Sequence, residues 1–192
     1  MKKIVNYALV AGMVIAAALG QTQGIDKKKL MSKNDQSPGS ETSVSINDKQ
    51  IWIYYHAPSV RGRKVFGAAD SLQPEDSVWR LGADFATVLH TDADLDLHGL
   101  NVPHGEYSLY VFLDKGKWQL IVNKKTGQWG VNNDNSTTDT PGDELGRTAM
   151  TMSKAPSPVE TLKISLAKGA GNRGTLTAAW ENVSASLPFT VK

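Results

Sequence analysis

Hydrophobic and polar residues alternate with a period of two over most of this chain, which is the spacing of half-buried β-strands. The clearest case is residues 105–123, where a two-residue loop at Lys115-Gly116 predicts a β-hairpin with a fixed register. One face is then wholly apolar and the other mixed, so the pattern predicts a sheet with one buried side. The apolar pairs are Leu113–Trp118, Val111–Leu120 and Leu109–Val122, and the mixed pairs are Phe112–Gln119, Tyr110–Ile121 and Ser108–Asn123.

Other segments repeat this alternation, and no window has a convincing helical period. A second hairpin is predicted from Phe85 to His98, with its turn at Asp92-Ala93. We therefore expect an all-β domain, an antiparallel β-sandwich of about nine strands, with the jelly roll as one form of it. Further strands are predicted around Ile51, Ile53 and Tyr55, around Leu162, Ile164 and Leu166, around Leu176, Ala178 and Trp180, and around Leu187, Phe189 and Val191.

The first 43 residues differ in composition from the rest. Residues 1–20 place two lysines before a short apolar run and end in small residues, which predicts a signal peptide cleaved before Gln21. An uncleaved membrane anchor is the alternative, and the shortness of the run disfavours it. Residues 21–43 are rich in Lys, Ser, Asn and Gln, which predicts a disordered linker. We expect residues 44–192 to form the sandwich, exported to the periplasm or secreted, without a transmembrane segment after cleavage.

Charge and cysteine content narrow the classes of function. The chain has 21 lysines and arginines against 19 acidic residues, and the two-residue excess, Lys2 and Lys3, lies in the predicted leader. The remainder is balanced, so net charge gives no reason to expect a nucleic-acid partner. No cysteine is present, which excludes disulfides, thiol nucleophiles and cysteine-based zinc sites. The stability of the folded domain must therefore come from its hydrophobic core.

Two long connections, residues 58–77 and 127–146, interrupt the alternation. Long loops carry binding residues more often than tight turns do. Guanidinium groups match the paired oxygens of carboxylate, sulfate and phosphate, and an indole face suits a sugar ring or a cation. The alternative is structural: the arginines pair with acids such as Asp70, Glu75, Asp76 and Asp84, and Trp79 fills core. The candidate ligand-binding residues in and beside these loops are Arg61, Arg63, Trp79, Arg80, Asp84 and Trp129.

Several motifs in order resemble a known family. They are residues 58–67, 78–87, 102–110, 118–130, 145–147, 180–182 and 188–191. From about Val44 to the end, the chain resembles the exported bacterial family called domain of unknown function number 2911. The resemblance implies an exported, mainly β domain and brings no established activity. That family's pattern has Asn followed by Glu where this chain has Asp84-Phe85, so any carboxylate role at this point falls to Asp84.

Metal chemistry has one candidate. His90 and His98 share strand parity with Asp92, Asp94 and Asp96, and His and Asp are competent zinc or manganese ligands. The alternative is a polar, solvent-facing strand pair, because the intervening residues are mostly apolar. The aspartate spacing also lacks the glycine of a calcium loop. We expect neither a metal nor another cofactor.

The leading hypothesis for function is a non-catalytic exported domain that binds a small molecule, a glycan or an envelope partner through the arginine- and tryptophan-rich loops. The alternative is an envelope or periplasmic hydrolase or lyase, with a cleft where His56, Arg63, Arg80 and Asp84 converge. The G-x-S-x-G motif of serine hydrolases does not occur. A catalytic carboxylate pair for glycoside hydrolysis, such as Asp84 with Glu106 or Glu181, is not supported by the spacing of these residues alone. A purely structural adhesion or scaffold module is the third hypothesis.

Overall fold

The structure is a computed structural model that describes Leu30 and residues 36–192, so the predicted signal peptide lies outside the described residues. The fold is all-β, as predicted. No helix among the described residues is long and apolar enough to cross a membrane. The strands are β1 (Gly39–Ile46), β2 (Lys49–His56), β3 (Phe66–Gly67), β4 (Gln73–Pro74), β5 (Val78–Trp79), β6 (Thr87–Thr91), β7 (Leu95–Leu97), β8 (Leu100–Val102), β9 (Gly105–Phe112), β10 (Gln119–Asn123), β11 (Glu144–Ala149), β12 (Thr151–Lys168) and β13 (Arg173–Val191).

Two antiparallel sheets make up the sandwich. The larger has the order β1-β2-β6-β9-β10-β11, with β5 also paired to β9, and the smaller has the order β12-β13-β7-β8. A short parallel pair, β3 and β4, lies inside the first long connection. The described residues form thirteen strands where about nine were predicted, and three of them, β3, β4 and β5, have only two residues each. Alternation cannot reveal a strand that is no longer than one repeat of the pattern.

The predicted hairpin is confirmed with its register. Strand β9 pairs with β10 so that Val111 lies opposite Leu120 and Leu109 opposite Val122. The expectation of one solvated face is wrong, because Tyr110 and Ile121 on the other face are also fully buried. The loop after β10 folds over that face, where the Tyr110 hydroxyl lies 2.8 Å from Thr138 Oγ1.

The second predicted hairpin is wrong. Strand β6 pairs with β2 and β9, whereas β7 pairs with β8 and β13 in the other sheet. Residues 92–94 therefore carry the chain from one sheet to the other. The change of sheet places the buried side chains of Leu95 and Leu97 in the core between the sheets, where the burial of apolar surface favours them.

The core lies between the two sheets and includes a cluster of aromatic side chains. Trp79, Trp118 and Trp180 surround Phe66, with ring centroids 5.6, 4.7 and 5.8 Å from its own. These rings come from both sheets and from the first long connection. The connection that carries the candidate arginines is therefore fastened to the core by Phe66.

The folded domain begins earlier than residue 44. Strand β1 starts at Gly39, which lies opposite His56 of β2, and its residues continue in register to Ile46. Residues 39–43 are mostly polar and half exposed, so their composition resembles that of a linker. Their place in the sheet comes from main-chain hydrogen bonds to β2, which composition does not reveal.

Candidate ligand-binding site

Three of the predicted site residues line one cleft. Arg61 and Arg63 lie in the connection after β2, and Arg80 directly follows β5. The cleft has a volume of about 180 Å³, and Gln36 and Gln73 also line it. We call it the arginine cleft. The fold thus brings together guanidinium groups that lie up to 19 residues apart in sequence (80 − 61).

Neutral oxygen atoms hold all three guanidinium groups in place. Arg63 donates through Nε to the Val60 carbonyl at 3.1 Å and through Nη2 to the Ser59 carbonyl at 2.7 Å. Arg61 donates from both terminal nitrogens to Gln36, to its side-chain oxygen at 3.0 Å and its carbonyl at 2.8 Å. Each group is therefore oriented while its positive charge is not neutralised.

The acids expected to pair with these arginines form no ion pair with their guanidinium groups. Asp70 pairs with Lys64 at 3.8 Å, and the only atom of Asp84 that Arg80 contacts through a hydrogen bond is its main-chain oxygen, at 2.7 Å. Among the residues that the structure describes, the other ion pairs of a lysine or arginine are those of Arg147 with Asp139 and Glu144. Glu160 Oε1 accepts from the main-chain N–H of Arg61 at 2.8 Å, and Asp84 lies near Arg80. The three guanidinium groups outnumber these two carboxylates, so the cleft carries an excess of positive charge.

Arg80 connects the arginine cleft to its surroundings. Its Nη1 also donates to the Trp129 carbonyl at 2.8 Å, and its guanidinium carbon lies 5.7 Å from the centre of the Trp129 ring. Burial lowers the pKa of Arg80, and the nearby Asp84 and Tyr110 oppose this effect. The side chain therefore ties the segment after β5 to the second long connection, which is one of the two predicted binding loops.

A second cavity lies on the other side of Arg80. It has a volume of about 410 Å³ and shares Leu72, Gln73 and Arg80 with the arginine cleft. We call it the loop pocket; Ser71, Trp79 and Asn135 also line it. The Ser71 hydroxyl is buried there without a hydrogen-bond partner. Its size lies in the range of about 300–1,000 Å³ that is typical of small-molecule sites, whereas the arginine cleft is smaller.

Trp79, a predicted ligand-binding residue, lies in the core. It is 2% exposed, its ring stacks on Trp180 with centroids 5.7 Å apart, and its Nε1 donates to the Gly82 carbonyl at 3.0 Å. Both faces of an indole are needed for dense core packing, and a buried N–H needs an acceptor. Trp79 therefore supports the wall of the loop pocket and does not offer its ring to a ligand.

Asp84 is buried beside His56 and does not line the arginine cleft. Its Oδ2 lies 3.7 Å from His56 Nδ1. The two ring nitrogens of His56 lie 3.1 Å from the Ser37 carbonyl and 2.7 Å from the Leu30 carbonyl. Both ring nitrogens therefore face carbonyl acceptors. Asp84 is the acidic residue beside the ring, and its Oδ2 is buried without a hydrogen-bond partner.

Trp129 is a predicted site residue whose aromatic ring is open to solvent. It is 45% exposed and is the only exposed large hydrophobic residue among those that the structure describes. Phe85 packs against its ring with centroids 5.1 Å apart. Its position differs from that of Trp79, although the sequence places each indole beside a long connection.

Gln36 and Ser37 were missed by sequence reasoning. Both line the arginine cleft, and both lie in the segment predicted to be a linker. Their role depends on contacts with Arg61 and His56, which are 25 and 19 residues away in sequence. No local signal marks such residues.

The candidate metal ligands do not converge. His90 lies 2.9 Å from Asp92 and stacks on Trp52, with centroids 4.9 Å apart, whereas His98 is in the turn between β7 and β8. Asp94 instead contacts His104 at 3.0 Å. Within residues 36–192 and Leu30, no group of three or more His, Asp or Glu residues is placed to hold a metal ion.

We expect Gly130→Ala to disturb the candidate site. Gly130 has φ of +92°, and a Cβ there would lie 2.6 Å from Arg80 Cδ and 2.8 Å from Arg80 Cβ. The backbone strain and the clash together should lower the free energy of unfolding by about 1–3 kcal/mol. Urea denaturation measures this. Gly142→Ala is the control, because nothing lies within 4 Å of a Cβ at that position and its φ is unstrained; equal losses in both variants would contradict the prediction.

Comparisons with known proteins give one finding. Neither the curated proteins nor the solved structures include a match to this chain. The family model described as "Protein of unknown function (DUF2911)" matches residues 37–189. This range starts beside β1 and ends in β13, so it covers both sheets and both long connections. The chain therefore belongs to the DUF2911 family, as its motifs indicated.

Proposed function

We propose that this protein is an exported, non-catalytic domain that binds a small molecule carrying a carboxylate, phosphate or sulfate group. The observation that carries the proposal is the arginine cleft, where Arg61, Arg63 and Arg80 meet and, among the described residues, none of their guanidinium groups forms an ion pair with a carboxylate. Guanidinium groups bind the oxygens of such anions through paired, charge-assisted hydrogen bonds. The proposal of export rests on the predicted signal peptide alone.

The sizes of the two cavities favour an arrangement in which two parts of one ligand occupy different cavities. The arginine cleft, at about 180 Å³, is suited to an anionic group and not to a whole metabolite. The loop pocket, at about 410 Å³, has room for the remainder and offers the side chains of Ser71, Gln73 and Asn135. Because Arg80 and Gln73 line both cavities, one ligand can occupy both.

The competing hypothesis of a hydrolase or lyase has less support. Its residues do approach one another, since Asp84 contacts both His56 and Arg80. Catalysis by His56 would need a ring nitrogen that faces a substrate. Both nitrogens face main-chain carbonyls instead, and the residue is only 2% exposed. Binding is therefore the function that we propose.

We expect Arg63→Gln to weaken the binding of anions. The probes are inorganic phosphate, sulfate and citrate, titrated by calorimetry and by thermal shift, since a specific ligand raises the melting temperature. Loss of one of three guanidinium groups should weaken the affinity at least about tenfold, which corresponds to about 1.4 kcal/mol. Arg63→Lys should fall in between, because an ammonium keeps the charge but loses the paired donors.

Lys64→Gln is the matched control. Lys64 is the next residue and a cation, but it pairs with Asp70 and does not line the arginine cleft. Its loss should leave anion binding within about twofold, since screened surface charges contribute little. Equal weakening by Lys64→Gln and Arg63→Gln, or the absence of binding by all three anions, would contradict the proposed function.

A further inference from the structure

An open groove beside Trp129 lies apart from the arginine cleft. It has a volume of about 700 Å³, and its lining includes Gln128, Trp129, Asn132, Asn133 and Asp134. We call it the Trp129 groove. It shares no lining residue with the arginine cleft. Arg80 lines the cleft and contacts the Trp129 ring, and Val131 lines both this groove and the loop pocket.

The indole of Trp129 is held in place by the side chains of Arg80 and Phe85. Arg80 lies over its ring at 5.7 Å, Phe85 packs on it at 5.1 Å, and the Trp129 carbonyl accepts a hydrogen bond from Arg80. The ring nevertheless remains 45% exposed. A fixed, exposed aromatic surface loses little conformational freedom on binding, so it provides an efficient stacking platform.

The loop that forms the rim of the groove is rigid without belonging to a sheet. Asn132 donates through Nδ2 to Ser136 Oγ at 3.0 Å and to the Thr137 carbonyl at 3.1 Å. Asp134 Oδ1 accepts from the main-chain N–H of Ser136 at 3.0 Å and from its hydroxyl at 2.6 Å. These bonds close the turn on itself. The shape of the rim is therefore supported by hydrogen bonds within the loop itself.

Polar atoms that can contact a ligand surround the indole. Asn132 and Asp134 each use one side-chain oxygen or nitrogen within the turn and keep another, and Asn133 is exposed. Gln128 Nε2 is buried and does not face the groove, and Gln128 Oε1 accepts from Ser108. The groove thus presents both donors and acceptors beside an aromatic ring.

We propose that the Trp129 groove binds a neutral saccharide. A sugar ring has an apolar C–H surface that stacks on indole and a rim of hydroxyl groups that both donate and accept, and the groove offers the complement of each. A protein partner fits less well, since interface centres are rich in apolar and aromatic residues and the rim here is mostly amide and carboxylate.

Charge favours a neutral over an acidic saccharide. Among the lining residues that the structure describes, Asp134 is the only charged one. The hydrogen bonds from Ser136 hold the pKa of Asp134 below its usual value, so the carboxylate stays ionised at neutral pH. An acidic sugar placed beside it would be repelled.

The test is a calorimetric titration of the protein with tetrasaccharides of glucose and of N-acetylglucosamine, and with tetragalacturonate as the acidic comparison. We expect a neutral tetrasaccharide to bind and to change the tryptophan fluorescence. Trp129→Ala should weaken this binding at least about tenfold, and Asn133→Ala about fivefold for one lost hydrogen bond. Thermal unfolding confirms that each variant is folded, which is expected because both side chains are exposed.

Arg63→Gln separates this inference from the proposed function. Arg63→Gln should weaken phosphate binding and keep saccharide binding. Trp129→Ala should weaken saccharide binding and keep phosphate binding. The saccharide inference is overturned if no neutral tetrasaccharide binds, if Trp129→Ala binds as well as the unmodified protein, or if only tetragalacturonate binds. None of these results bears on whether anions bind in the arginine cleft.

Discussion

Trp79→Ala is expected to lower the free energy of unfolding by about 3–5 kcal/mol, the usual cost of removing a large aromatic side chain from a packed core. Trp79 is 2% exposed, and its ring contacts those of Phe66, Trp118 and Trp180. Its removal leaves a cavity at the centre of the aromatic cluster and leaves the Gly82 carbonyl without its donor. Typical domains have only about 5–15 kcal/mol of stability in total, so this loss is large.

Trp129→Ala is the matched control, because it removes the same side chain from the exposed loop. It should change the free energy of unfolding by less than about 1 kcal/mol, as is usual for surface substitutions. Urea denaturation, followed by far-ultraviolet circular dichroism, measures both. Similar losses for the two variants would contradict the assignment of Trp79 to the core and of Trp129 to the surface.

Asp84→Asn is the second substitution for which we expect a large loss of stability, about 3–5 kcal/mol, the usual cost of leaving a buried charge without its partner. Asn tolerates the positive φ of +55° at this position, so the backbone conformation is kept and only the charge is removed. His56 Nδ1, which lies 3.7 Å from Asp84 Oδ2, would then lose this charged neighbour.

The double variant with His56→Gln tests whether the loss comes from this pair. It should be more stable than the sum of the two single losses indicates, with a coupling of about 1–3 kcal/mol. Asp70→Asn is the control, because its pair with Lys64 is exposed and should contribute nothing measurable. A loss below about 1 kcal/mol for Asp84→Asn, or simple additivity in the double variant, would contradict a stabilising interaction between Asp84 and His56.

The residue-by-residue pairing of two neighbouring strands could be predicted from the sequence where the turn between them defines the register. The hairpin of β9 and β10 matches residue by residue because a two-residue loop leaves only one alignment that keeps the apolar residues on one face. The predicted hairpin across Asp92-Ala93 failed under the same reasoning. Alternation shows which side chains share a face, but it does not show to which sheet a strand belongs.

The candidate site was predicted in part. The residue types that favour anion binding identified Arg61, Arg63 and Arg80, and the fold brings these together. The same reasoning predicted that both Trp79 and Trp129 bind a ligand, although Trp79 fills the core and Trp129 is exposed to solvent. Asp84 was chosen as a ligand-binding residue and is instead buried beside His56. Residue type indicates what a side chain can bind, and only packing determines whether a ligand can reach it.

The order of apolar and polar residues by itself determined that this chain is all-β, that its sheets are antiparallel and that β9 and β10 pair in one register. These properties depend on interactions between residues close in sequence, and their period is visible in the sequence. Only the tertiary structure decided that residues 36–43 belong to the fold, that the second hairpin does not exist and that three arginines line one cleft without a guanidinium–carboxylate ion pair among the described residues. Those properties depend on contacts between distant segments, whose free energies come from burial and from main-chain hydrogen bonds that residue order does not record.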